Sequence, residues 1–305
     1  MELLLGTWAP EWGHTCLAMG FGKVYSLRSL AGGSALLVRE EGSELPIVEY
    51  PTPGEHSCHI TLLAREAVVS DYTSGTLSLF PLDAAGVPCG KPRLIRFSGH
   101  GPNPERQASP HIHSSWLSPD GGSLVVADLG SDRIYRFAVR DGSVIESAME
   151  SFAMPSGCGP RHCAFGKDVL YVSTELSDEV LTLSWPGMIL LGRSTVNDAH
   201  PSGGGHLELS PDGKFLYVSS RLENDGIAVF RVGESGLPER ISYVPTGRHP
   251  RHFCLSPDGG LLFCACRDEN AVQIFERDAE TGSLSMVPQQ IEIEKPVFVL
   301  AYEKD

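Results

Sequence analysis

Apolar positions along the chain fall in short alternating runs, and the runs recur in a fixed frame. The segments LSPDGGSLVVADLGSDRIYRF (117–137), LSPDGKFLYVSSRLENDGIAVF (209–230) and LSPDGGLLFCACRDENAVQIF (255–275) share one layout. Each has an apolar residue, Ser-Pro-Asp-Gly, an apolar alternation, a polar break and a second apolar alternation. Pro211 and Pro257 are 46 residues apart, and Pro119 and Pro211 are 92 apart, twice that spacing. A copy is therefore expected near residue 165, and AFGKDVLYVSTELSDEVLTL (164–183) supplies it with a turn shorter by two residues. TLLAREAVVSDYTSGTLSLF (61–80) and CLAMGFGKVYSLRSLAGGSALLV (16–38) keep the frame more loosely.

Proline presets φ and glycine supplies positive φ, so Pro-Asp-Gly predicts a tight turn between two strands whose period-two alternation is rich in Val, Leu, Tyr and Phe. Each unit is then a small antiparallel meander. About 45 residues and roughly four strands per unit match a β-propeller blade. Six units are visible. A seventh is expected from the chain ends, with LLLGTW (3–8) pairing beside PVFVLAY (296–302) and so removing free edges. Few residues separate LLLGTW from the first full unit, so that terminal blade is expected to be incomplete. The predicted architecture is all-β, one seven-bladed propeller domain over 1–305, with a six-bladed count as the alternative.

Registering the repeats shows which polar residues share a position. Eleven residues before Leu124, Leu216 and Leu262 lie His113, Gly205 and Arg251, and Arg161 before Leu170 is their equivalent once the shorter turn is allowed for. GPRHCAF (159–165) and HPRHFCL (249–255) are nearly the same peptide. Five residues after Leu170, Leu216 and Leu262 come Glu175, Arg221 and Arg267. The start of the first strand and the end of its antiparallel neighbour lie at one end of a blade. His113, Arg161, Glu175, Arg221 and Arg251 are therefore expected to converge at one mouth of a central channel. Arginines suit bidentate contact with carboxylate or phosphate. Taken singly, a repeat-equivalent Arg equally fits an ion pair that stitches blades. Arg267, beside Asp268 and Glu269, is expected to make such a blade-to-blade pair. His162 and His252, one step past their arginines, are expected to point away from the channel and be structural.

Composition narrows the partners. Of 305 residues, 41% are hydrophobic and 20% charged, which suits a globular core, and the Gly 33 and Pro 22 suit a turn-rich β fold. The formal net charge of −14, with no Lys/Arg run, argues against nucleic acid and anionic membrane as partners, so an anionic ligand needs a local cation cluster. The N-terminus lacks the basic start of a signal peptide, and no apolar run has transmembrane length, so a cytosolic protein is expected. The eight cysteines have no paired zinc spacing and read as buried free thiols. There is no G-x-S-x-G, H-E-x-x-H or P-loop. His111 and His113 form an H-x-H pair without a convincing third ligand, so neither a metal nor another cofactor is expected.

At these residues the sequence resembles the seven-bladed propeller lactonases, a family that includes 6-phosphogluconolactonases of propeller type and carboxy-cis,cis-muconate cyclases. The resemblance rests on GPNPERQASPHIHS, DLGSDRIYRF, GPRHCAF, STELSDEV, SPDGKFLYVSSR and PRHFCLSPDG. It implies an active site built from His113, Arg161, Glu175 and Arg221, with Arg251 a weaker transfer, acting on a small anionic lactone. His113 or Glu175 would activate water, and Arg161 and Arg221 would hold the oxyanion and the substrate anion. In the loop before His113, Arg106 and Gln107 are expected as secondary contacts for that anion, and His111, at the rim, as a further substrate-binding residue. Hydrolysis of 6-phosphogluconolactone is the leading expectation. The alternatives are carboxymuconate lactonisation at the same site and a non-catalytic propeller that binds a partner.

Overall fold

Ser-Pro-Asp-Gly closes the same turn three times. Gly121, Gly213 and Gly259 sit at φ of +70°, +71° and +71°, and each donates its N–H to the carbonyl of Ser118, Ser210 or Ser256 at 2.8 Å. The serine Oγ donates to the aspartate two residues on and accepts the N–H of Ser123, Phe215 or Leu261 at 2.9 Å. The turn thereby satisfies its own polar groups and fixes which residues of the two flanking strands face each other.

The structure, a computed structural model, describes residues 1–7, 14–30, 33–43, 46–199 and 202–303. The strands are β1 (Glu2–Thr7), β2 (His14–Gly20), β3 (Lys23–Leu30), β4 (Gly33–Glu40), β5 (Val48–Pro51), β6 (Ser57–Leu62), β7 (Glu66–Asp71), β8 (Thr76–Pro81) and β9 (Arg93–Arg96). There follow β10 (Ile112–Leu117), β11 (Ser123–Asp128), β12 (Arg133–Arg140), β13 (Ser143–Ala153), β14 (Pro160–Phe165), β15 (Val169–Thr174), β16 (Glu179–Ser184) and β17 (Leu190–Thr195). The last are β18 (Ser202–Leu209), β19 (Phe215–Leu222), β20 (Gly226–Val232), β21 (Pro238–Pro245), β22 (Pro250–Leu255), β23 (Leu261–Cys266), β24 (Ala271–Arg277), β25 (Leu284–Glu292) and β26 (Pro296–Tyr302).

Consecutive strands pair in order, giving six four-stranded sheets among the described residues, while β1 pairs only with β26. Such meanders are propeller blades. The β1–β26 ladder runs from Glu2↔Tyr302 to Thr7↔Pro296, so the terminal blade has two strands here. Trp8, the last residue of the expected closing strand, lies outside the described residues.

The chain groups into two compact units, residues 10–160 and residues 161–305 with 1–9. In the first, Val68, Leu77, Leu79 and Ile95 of one sheet pack with Ile112, Leu124, Val126 and Phe137 of the next. Asp71, fully buried at the end of β7, accepts hydroxyls from Ser57 (2.6 Å), Thr76 (3.0 Å) and Ser78 (2.7 Å), tying three strands together. In the second unit, Phe215, Tyr217 and Val229 pack on Phe253, Leu262 and Phe275, and Leu3 and Leu5 of β1 cover Val272 and Val299. Tyr171 and Tyr217 donate their hydroxyls to Gly236 and Gly282, at 2.7 and 2.9 Å, pinning each sheet to a turn of its neighbour. Along the first strands His162 meets His206 edge-on, and His206, His252 and Phe298 stack in turn, with successive ring centroids 4.0–5.0 Å apart.

Two outcomes follow from this packing. Phe253→Ala empties a fully buried ring position and should cost about 3–5 kcal/mol, read as a lower denaturation midpoint. Burial pushes the Asp71 carboxyl up to about 6 from 3.8, against the three hydroxyls that favour its charged form. The fold then binds more protons at this site than the unfolded chain between these values, so the site's contribution to stability rises as pH falls through that window. Asp71→Asn should lose this slope, so parent and variant compared by denaturation at pH 7 and pH 5 should show the parent gaining relative to the variant at pH 5.

Candidate active site

Two of the candidate residues, His113 and Arg251, occupy irregular positions in the sheets. Pairing between β10 and β11 shifts register between Ile112 and Ser114, at His113, and pairing between β22 and β23 shifts between Pro250 and His252, at Arg251. A β-bulge leaves one residue outside the ladder and re-aims its side chain. Equivalent shifts fall at Cys58 and between Gly204 and Leu207. The bulge thus marks the blade position that the sequence register identifies.

In the unit of residues 161–305, Arg161, Glu175 and Arg221 come together. Glu175 follows β15, and its Oε2 accepts from Arg161 Nε at 3.0 Å and from Arg221 Nη2 at 2.9 Å. Arg221 also donates to the carbonyls of Gly203 (3.4 Å) and Gly204 (3.1 Å). Gly204 permits this crowding, because a β-carbon there would stand 2.1 Å from the carbonyl oxygen of Thr174. Both arginines are buried. Burial first, then the like charges of Arg221 and Arg251, disfavour the charged form of Arg161, and Glu175 opposes them. Arg251 therefore belongs to the same electrostatic group. A buried charge cluster in which one carboxylate oxygen serves two guanidiniums is suited to take up a further anion.

Beside Arg221 stands His249, a residue that the sequence register does not select. Its Nε2 lies 3.4 Å from Arg221 Nη1, and its Nδ1 lies 3.3 Å from Arg267 Nη2 and 3.5 Å from Asp268 Oδ2. Arg267 is held by its own neighbour, Nε to Asp268 Oδ1 at 2.8 Å and Nη2 to Oδ2 at 2.9 Å. This pair lies within one 3-10 turn, Arg267–Glu269, where adjacent side chains meet.

In the unit of residues 10–160, His113, His111 and Arg106 gather around Tyr72. The Tyr72 ring stacks on His111 at 4.5 Å and 11°, and meets His113 edge-on at 5.8 Å and 87°. Arg106 Nη2 donates to Tyr72 Oη at 3.3 Å, and His111 Nδ1 lies 2.9 Å from the Tyr72 carbonyl. Gln107 has a different place from the one expected. Its side chain is fully buried, donating to Leu129 O at 2.9 Å and Asp132 Oδ1 at 2.8 Å, so it braces the loop from within instead of presenting its amide to a ligand. Tyr72 is legible in principle: it lies five residues after Ala67, which pairs with Leu62 as Leu262 pairs with Leu255, and so it shares the register of Glu175, Arg221 and Arg267.

Known proteins share this architecture. A sequence model described as Lactonase, 7-bladed beta-propeller, matches residues 24–301. The chain is 34% identical over 284 residues to a 6-phosphogluconolactonase of Bacillus subtilis, covering 88% of this chain and 80% of that one. Two crystal structures of proteins provisionally named 6-phosphogluconolactonases are also similar. The one from Bacteroides fragilis has a TM-score of 0.91 at 29% identity, covering 98% of this chain and 96% of the other. The one from Bacteroides uniformis has a TM-score of 0.89 at 34% identity, covering 97% and 90%. Strand order, the repeated turn and these matches together make the chain an all-β lactonase of the seven-bladed β-propeller family.

Proposed function

We propose that this lactonase opens a phosphorylated sugar lactone, 6-phosphogluconolactone, to 6-phosphogluconate. The observation that carries the reading is the pair of buried guanidiniums, Arg161 and Arg221, on one oxygen of Glu175, with Arg251 close enough to repel Arg161. An anion bound there relieves that repulsion. The name carried by the Bacillus subtilis relative supports the same substrate. Eight free thiols, six of them buried, support a cytosolic setting.

In the proposed reaction a water oxygen attacks the lactone carbonyl while a base removes its proton. The tetrahedral oxyanion then collapses, the ring C–O bond breaks, and that proton passes to the departing ring oxygen, leaving a hydroxyl and a carboxylic acid whose remaining water-derived proton is released to solvent to give the carboxylate. Glu175 Oε2 is already engaged by two guanidiniums, so its role is to hold the arginines. His113 is assigned the proton transfer, the imidazole being the side chain most often used as a general acid or base. Arg161 and Arg221 are assigned the oxyanion and the substrate anion. Arg106, hydrogen-bonded to Tyr72, orients the aromatic group around His113.

The test is turnover of 6-phosphogluconolactone, 3-carboxymuconolactone and unphosphorylated gluconolactone by purified protein. The phosphorylated lactone should be preferred, and Arg161→Ala should lower its kcat/KM by roughly 10²–10³-fold. His113→Ala should lower kcat by roughly 10²–10⁴-fold. Preference for the carboxymuconolactone would replace the substrate. Full activity in both variants would remove the site assignment, and a folded protein inert to all three lactones would favour a binding role.

A further inference from the structure

His249 combines a strained backbone with a ring wedged between charged groups. Its φ is +60°, in the left-handed region that favours glycine. The residue at the matching place before Arg161, two positions upstream, is Gly159, at φ +63°. Both do the same backbone work: Gly159 N–H donates to Asp132 Oδ1 at 2.8 Å, and His249 N–H donates to Asp225 Oδ2 at 2.9 Å. Glycine therefore suffices for the turn, and what His249 adds is its ring.

The ring's surroundings fix its tautomer. Nε2 faces a donor, Arg221 Nη1, whereas Nδ1 faces both a donor, Arg267 Nη2, and an acceptor, Asp268 Oδ2. Placing the proton on Nδ1 gives it Asp268 as acceptor and leaves the Nε2 lone pair for Arg221; the other tautomer sets an N–H against the Arg221 guanidinium. Asp268 is in turn fixed by the two-point contact with Arg267. Burial, then the charges of Arg221, Arg267 and Arg251, hold the imidazole down to about 3 against the opposing pull of Asp268, so the lone pair persists at neutral pH. For Arg221, Glu175 and Gly204 hold Nη2, Gly203 holds Nε, and among the described residues Nη1 contacts His249. Asp225 adds a second link between the two residues: its Oδ1 accepts the N–H of Leu222, directly after Arg221, while its Oδ2 holds His249.

We propose that His249 is a positioning residue for Arg221, its Nε2 accepting from Nη1 and so setting the plane in which the guanidinium meets the substrate anion. This rests on the reading of Arg221 as an anion-binding group, and it assigns the dyad Asp268–His249 the orientation of that group.

A double-mutant cycle on 6-phosphogluconolactone opening tests it, with kcat and KM measured separately for the parent, Arg221→Ala, His249→Gly, His249→Gln and the Arg221→Ala/His249→Gly double variant. Arg221→Ala should raise KM. His249→Gly, which relieves the backbone, should raise KM roughly tenfold with a smaller change in kcat. His249→Gln, whose Oε1 can stand near the Nε2 position, should recover most of the loss. In the double variant the His249 change should add nothing to Arg221→Ala. His249→Asn, a residue type that accepts left-handed backbone but is too short to reach Arg221, should match His249→Gly and carries the comparison if the glycine variant folds poorly. An impaired Arg221→Ala beside a His249→Gly with parental KM overturns this proposal alone, as does full additivity in the double variant. A parental Arg221→Ala overturns the anion-site reading and this proposal with it.

Discussion

The register between the first two strands of each sheet is the constraint on which the rest depends. Slipping it by one residue would turn every side chain of the strand to the opposite face. The Ser-Pro-Asp-Gly turn prevents this in three sheets by using its own serine and glycine as partners, with positive φ where glycine accepts it at little cost. Tyr171 and Tyr217 then carry the alignment from one sheet to the next through the carbonyls of Gly236 and Gly282.

With the register fixed, charge is concentrated at one end of the strands in the unit of residues 161–305. The bulge at Arg251 and the turn residues after β15 and β23 are the places where the ladder releases a side chain. Desolvating several arginines there would be costly without Glu175 and Asp268. The same arrangement that makes the fold tolerate Arg161 and Arg221 gathers them on one oxygen of Glu175. His249 suits such a cluster as an uncharged hydrogen-bond acceptor, which steadies a guanidinium without neutralising it.

Much of the site is legible in the order of residues along the chain. Arg161, Glu175 and Arg221 emerge from counting along the repeat, and all three are joined through a single carboxylate oxygen. The same count, extended to the weaker copy at 61–80, reaches Tyr72. His249 is not legible in this way, because its value lies in a positive φ and in neighbours from other strands, neither of which leaves a periodic signal. Gln107 departs from expectation for a related reason: a polar residue on a loop looks available, yet Gly101 and Gly130 let this loop fold tightly onto its own unit and bury the amide.

The sequence by itself determined the blade repeat, the all-β class and the positions at which functional side chains could be offered, since turn chemistry and period-two alternation are local. It also determined that an acidic chain of net charge −14 would need clustered arginines to receive an anion. Only the tertiary structure decided which of those residues share a hydrogen bond, which stack, and which are consumed by packing. These outcomes depend on how sheets seat on one another, a matter of ångströms between residues tens of positions apart, for which the order of residues along the chain supplies no distance.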